Sequence, residues 1–247
     1  MFVTIKFVTI GFVANTFATV GRVTVVRSRR ERPAKPALTQ EGIVDAAMAV
    51  LRTDGIERLT MRRIAADLDT GPASLYVYVR STTQVHALLI DRLLTDLDLA
   101  WDGSNEPSTR LHRLLVDYVE LLASHPGLAR SALVTWPQGE HYLDLVELVL
   151  RLLTASGVPD ARSGWGVDVL LQQATAMAAE YGSRSEPDQA QTTDDLRAAL
   201  SGADPVRYPT LARVGGDGMF AGRPADRRDW AIRALITGIV ATEHPGE

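Results

Sequence analysis

From residue 38 the apolar positions recur at spacings of three and four, the period of helices that bury one face. Ile43, Ala46, Ala47, Val50 and Leu51 form the first such stripe and predict a helix over residues 39–53. Thr39 stands at its N-cap, Leu38 and Ile43 occupy the two positions of a hydrophobic staple, and Asp54-Gly55 ends it. The pattern repeats after Thr60. Met61, Ile64, Ala65 and Leu68 face inward, and Arg62, Arg63 and Asp67 fall outside the stripe. Asp69-Thr70-Gly71 breaks this second helix, and Pro72 opens a third at the position where a missing N–H costs nothing. That helix, about 72–79, turns Leu75 and Val79 inward and leaves Ala73, Ser74, Tyr76 and Tyr78 outside. Ser81 and Gln84 have the spacing of a capping box and start a fourth helix reaching about Leu97.

The rest of the chain carries longer stripes. Helices are predicted over 108–124, 128–135, 139–155, 160–182 and 226–242, with a weak one over 193–201. His125-Pro126-Gly127 is read as a stop, 183–192 as a polar loop and 203–224 as irregular. The apolar face of 139–155 is wide enough for a central, largely buried helix. The expected fold is therefore all-α: an N-terminal three-helix head with a helix-turn-helix (37–84), joined by a linking helix to an antiparallel helical body (85–247).

Two helices joined by a tight turn, the second short and polar on its outer side, make a motif that places its second member in the major groove of DNA. Tyr76 and Tyr78 fit that use, because each pairs a ring that packs on the sugar-phosphate backbone with a hydroxyl that bonds a phosphate oxygen. Charge agrees. Residues 1–100 carry 13 Lys+Arg against 10 Asp+Glu, whereas residues 101–247 carry 13 against 20. A basic front and an acidic back suit a head that meets a polyanion and a body that does not.

Residues 1–36 stand apart. The first 26 repeat FVTI at 2–5 and 7–10 and are rich in Thr, Val and Phe, a strand-like composition. Their polar residues weaken a membrane span, and no basic stretch precedes them as in a secretory signal. A loosely attached or disordered extension, a membrane or targeting segment, and an added strand all remain open. Arg27, Arg29, Arg30, Arg32 and Lys35 follow in a Pro-containing segment suited to phosphate contact beside the head.

Cysteine is absent and the five histidines include no i, i+4 pair, so thiolate chemistry is excluded and a histidine metal site is unsupported. No nucleophile elbow or dinucleotide fingerprint occurs, so no enzyme class and no cofactor is indicated.

Residues 38–94 resemble the tetracycline-repressor (TetR) family of regulators. The most telling stretches are Asp54-Gly55-Ile56, Leu59 to Ala65, and Gly71-Pro72-Ala73-Ser74-Leu75-Tyr76. The resemblance implies that Thr60 and Arg62 touch DNA from the second helix, Arg62 being suited to a guanine edge. It implies that Pro72, Ala73 and Ser74 form the base-facing start of the recognition helix and that Tyr76 binds phosphate. Thr70 in the turn, Tyr78 and Thr82 complete the expected face. Two positions depart from the family, Asp69 where glycine is usual and Thr82 where lysine is usual. Asp tolerates unusual dihedrals, and the N–H groups at a helix start can still hold a phosphate.

The same resemblance implies a homodimer paired through the helices near 160–182 and 226–242, and a small-molecule effector held among the body helices. Trp136, His141, Tyr142, Trp165, Met177 and Tyr181 are candidates to line that pocket. The expected function is a cytoplasmic, ligand-responsive repressor of a palindromic operator in double-stranded DNA, with a membrane-tethered or purely architectural DNA binder as alternative. The ligand is expected to change the spacing of two heads through the linking helix.

Overall fold

Thr39 opens the first helix as its sequence demands. In the computed structural model, which describes residues 37–184, 187–215, 218–219 and 221–245, its hydroxyl accepts the Gly42 N–H at 3.0 Å. Helix α1 (Gln40–Asp54) then runs to Gly55, whose positive φ of 77° ends it. The expected extension, with its basic segment, lies outside the described residues. Thr60 repeats the device for α2 (Met61–Asp67), accepting the Arg63 N–H at 3.1 Å. Asp69 takes φ of 48° in the turn that follows, a left-handed conformation that Asp enters more readily than most residues. Pro72 starts α3, which spans only Pro72–Leu75 before loosening into turns, and so is shorter than the 72–79 expected.

Helix α4 (Thr82–Leu93) is opened by Ser81, whose Oγ accepts the Gln84 N–H at 3.1 Å. The reciprocal bond goes one residue further back than a capping box prescribes: Gln84 Oε1 accepts from the Arg80 N–H. The helix does not reach Leu97. It tightens into a 3₁₀ turn over Leu94–Asp96, where the Thr95 hydroxyl bonds the Arg92 carbonyl at 2.7 Å and competes with the regular ladder.

Six helices of the body follow: α5 (Pro107–Ala123), α6 (Pro126–Ala132), α7 (Glu140–Ala155), α8 (Asp160–Ser183), α9 (Pro187–Ser201) and α10 (Pro209–Val214); α11 (Pro224–Ala241) closes the described fold. Three expectations are corrected here. Pro126 begins α6 instead of only terminating α5, because proline is tolerated in a first helical turn. The segment read as a polar loop is helical from Pro187, since Gln189, Ala190 and Gln191 favour a helix and no glycine follows before Gly202. The absence of an apolar stripe spoke against burial there, and not against a helix. Within the supposedly irregular 203–224, Pro209 and Gly215 bracket the short α10.

All regular elements among the described residues are helical. Helix α8 is the centre of the body and packs on α5, α6, α7 and α11. Leu111, Leu114, Leu115 and Leu122 meet Leu145, Leu152 and Leu153 and the α8 residues Leu170, Leu171 and Ala178 in a continuous core. Helix α4 packs on α1 in the head and on α6 and α7 in the body. The boundary expected at 84/85 lies within α4, which is the linking helix.

Candidate nucleic-acid interface and body cavity

Burial of Met61, Ile64 and Ala65 in α2 and of Leu75 and Val79 around α3 leaves the opposite surface of this helix pair to solvent. That surface carries Thr60, Arg62, Pro72, Ala73, Ser74, Tyr76 and Tyr78, all exposed, with Thr70 and Thr82 partly exposed at its edges. All nine expected residues are thus at least partly open to solvent.

Two adjacent arginines behave differently. Arg63 is held at 3.0 Å by both Asp54 and Asp67, and these carboxylates raise its pKa, the Asp67 hydrogen bond most. Arg62 has no ion-pair partner among the described residues, so its guanidinium and full charge are available to an incoming anion or base edge. Tyr76 is 54% exposed and Tyr78 39% exposed, large values for rings on so small a surface. The end of the turn is fixed from α1, where Gln40 Nε2 donates to the Tyr78 carbonyl at 3.2 Å. Sequence reasoning passed over Val77, which lies between the tyrosines and is 78% exposed. Its signal was available, because Leu75 and Val79 at i, i+4 exclude Val77 from the inward side.

Helix α4 connects this face to the body by named bonds. Arg92 pairs with Asp45 of α1 at 2.9 Å. His86 Nδ1 lies 2.8 Å from Ser131 Oγ of α6, and burial lowers the pKa of this imidazole. Asp91 accepts the Tyr142 N–H at 2.9 Å and so caps the start of α7 from a neighbouring helix.

Behind α4 lies a small cavity of about 50 Å³. Ile90 of α4, Tyr118 of α5, Tyr142 of α7, Gln172 and Thr175 of α8, and Thr135 and Trp136 from the α6–α7 connection are among its walls. Tyr118 is buried, its hydroxyl 2.9 Å from Thr175 Oγ1, and burial pushes its pKa up to about 12 despite that bond. Burial also raises the Tyr142 phenol, with a smaller push from the carboxylate of Asp168.

Of the residues expected around a pocket, Trp136 and Tyr142 meet here. Trp165 does not. It lies 61% exposed in a separate groove of about 470 Å³ between α8 and α11, its ring edge-on to His244 with centroids 4.2 Å apart. Met177 and Tyr181 are half-buried against the core, and His141 is half-buried in the first turn of α7. Tyr118, Thr135, Gln172 and Thr175 were missed. Gln172 and Thr175, polar residues beside Leu170, Leu171 and Ala174, offered a signal for those two alone.

Among the described residues no group of His, Asp and Glu is placed to hold a metal ion, and no helix is long and apolar enough to cross a membrane.

Comparison with known proteins agrees with this architecture. Residues 43–85 match the profile of bacterial regulatory proteins of the tetR family, and residues 103–241 match that of the tetracyclin repressor-like C-terminal domain. An HTH-type transcriptional repressor of Streptomyces coeruleorubidus, DrrR1, is 32% identical over 219 residues, 85% of this chain and 80% of the relative. An HTH-type transcriptional regulator of Saccharopolyspora erythraea is 29% identical over 87% of this chain and 90% of its own length. Among solved structures, the Streptomyces coelicolor TetR-family protein ActR in complex with actinorhodin superposes with a TM-score of 0.73 at 28% identity, covering 83% of this chain and 98% of ActR. Two matching profiles that together take in the head and nearly all of the body identify this chain as a member of the TetR family of transcriptional regulators.

Proposed function

We propose that the protein is a cytoplasmic, homodimeric repressor that grips a palindromic DNA operator and releases it when an uncharged or polar small molecule occupies the body. The observation that carries this reading is the double role of α4. Its first residue, Thr82, borders the exposed face of the head, and Ile90 two turns later is a wall of the body cavity. A ligand that enlarges the cavity therefore pushes on the element that carries the head. In a dimer whose half-sites lie about 34–36 Å apart, a small tilt of each head is enough to lose register.

The roles on DNA follow from chemistry. Arg62 bonds a guanine edge, Tyr76 and Tyr78 bond phosphate oxygens, and Pro72 and Ala73 meet thymine methyls. Thr60, Thr70, Ser74 and Thr82 supply short polar contacts to the backbone. The second copy is placed against α8 and α11, whose outward residues Trp165, Val169, Trp230 and Val240 are large, apolar and exposed. The ligand-bound state of ActR supports the effector role of the body. The regulatory relatives favour a binding protein over an enzyme.

Selection from random duplex DNA tests the proposal. Wild type should enrich one palindrome, and Tyr76→Ala should abolish the enrichment. Arg62→Ala should cost about 1–3 kcal/mol and relax one base position. Enrichment of no sequence, or of a half-site without symmetry, would refute the specific dimeric repressor. Binding without sequence preference would favour the architectural alternative.

A further inference from the structure

We infer that the body cavity takes an uncharged, ring-bearing molecule with one hydrogen-bonding polar group, which it receives by displacement of Trp136. The inference rests on reading the body as an effector domain and names the class of effector. Three observations carry it.

The walls contain no charged side chain. An anion would find no cation among them, and the carboxylate of Asp91 on α4 is engaged by the Tyr142 N–H at 2.9 Å. A buried ion without a partner is strongly disfavoured, so the inner cavity rejects both signs of charge; Arg80 borders only the outer crevice. The walls are instead rich in rings, with Tyr118, Tyr142 and Trp136 among them. Flat apolar faces of this kind select a planar molecule.

Thr135 supplies the polar requirement. Its side chain is 7% exposed, it lines the cavity, and its Oγ1 has no hydrogen-bond partner. Tyr118 and Thr175 already satisfy one another. Thr135 thus presents a buried, unpaired hydroxyl in the wall, and a polar group on the ligand that donates to it or accepts from it would complete it.

Size supplies the route. At about 50 Å³ the cavity is far below the roughly 300–1,000 Å³ of ordinary ligand sites, so one wall has to move. Trp136 is the movable wall. It is 59% exposed, it lies outside any helix, and it also lines an outer crevice of about 600 Å³ bounded by Gln40, Arg80 and Gln84. Swinging Trp136 outward joins the two spaces.

The test uses three isosteres on the full chain at neutral pH: 2-naphthol, 2-naphthoate and protonated 2-naphthylmethylamine. Calorimetry should show 2-naphthol binding about a hundredfold or more tighter than either ion. Binding should quench tryptophan fluorescence in wild type and not in Trp136→Phe. Thr135→Val should weaken 2-naphthol about tenfold and leave the melting temperature unchanged or higher, since it removes an unpaired hydroxyl. Equal affinity for either ion, failure of 2-naphthol to bind, or unchanged affinity in Thr135→Val overturns the inference. If 2-naphthol binds as expected while a selected operator duplex stays bound, the ligand class stands and the effector role falls. If no operator is ever selected, the DNA-binding reading falls by itself.

Discussion

Helix α7 begins without a side-chain cap of its own, because its N-cap is Gly139. Asp91 of α4 provides the missing acceptor to the Tyr142 N–H, and Gly139 leaves it room: a Cβ there would sit 2.0 Å from the Asp91 carboxylate carbon. The backbone itself would accept alanine, with φ of −82°. Gly139→Ala therefore acts by one route. The carboxylate must rotate away, and the charge-assisted bond to the helix start is lost. Such a bond contributes about 1.5–3 kcal/mol, and the helix dipole adds to it in the same direction. A cost of about 2 kcal/mol should lower the melting temperature by about 4–8 °C in a chain of this size. Urea unfolding in a double-mutant cycle with Asp91→Ala checks the route. Shortening Asp91 removes the three atoms nearest the new methyl, so Gly139→Ala should then be neutral within about 0.5 kcal/mol. Equal cost in both backgrounds would refute the argument, because it would mean that the methyl damages something other than the Asp91 cap.

Gly127→Ala would place its Cβ 2.0 Å from Ile56 Cγ2 at the contact between α6 and the head; isoleucine is stiff, so a loss of about 1–3 kcal/mol is expected in urea unfolding. Asp69 holds φ of 48°, so Asp69→Gly should be neutral within about 0.5 kcal/mol whereas Asp69→Val should cost about 1–2 kcal/mol by the same assay. His86 and His125 are both held below the ordinary imidazole pKa, chiefly by burial. The unfolded chain then binds more protons than the native one in the window between the folded values and about 6.5. Stability should therefore be complete above that window and decline as pH falls through it, and His86→Gln with His125→Gln should flatten the decline in urea midpoints measured across pH.

The head was legible because its determinants are local. Thr39, Thr60 and Ser81 each bond an N–H three residues ahead, and Gly55 and Pro72 set dihedrals within their own turns. A cap reads the same in one dimension as in three. The helix expected over 193–201 is present, but its start at Pro187 was not legible, for the converse reason. Residues 187–192 have helical propensity without an apolar stripe, so their sequence declares no partner face. The end of α4 failed through a single hydroxyl, Thr95, whose bond to the Arg92 carbonyl competes with a ladder that the apolar pattern alone would continue to Leu97.

The cavity was harder to read, because nothing distinguishes a residue that lines a void from one that fills a core until the helices are placed. Tyr118 reads as one more member of the α5 stripe, and it becomes a wall only because Thr175 meets it from α8, 57 positions away. Trp136 and Trp165 looked alike as isolated aromatics in the body. What separates them is the element beneath: Trp136 rides a connection between helices and faces the gap behind α4, whereas Trp165 is fixed on α8 on the side facing α11. The same logic explains why a rigid cap and a movable wall lie three residues apart. Gly139 and Asp91 pin the start of α7 to α4, and the residues just before them have no helix to hold them. A ligand that displaces Trp136 must therefore strain the connection against a fixed point on α4, which converts a local swing into a load on the helix that leads to the head.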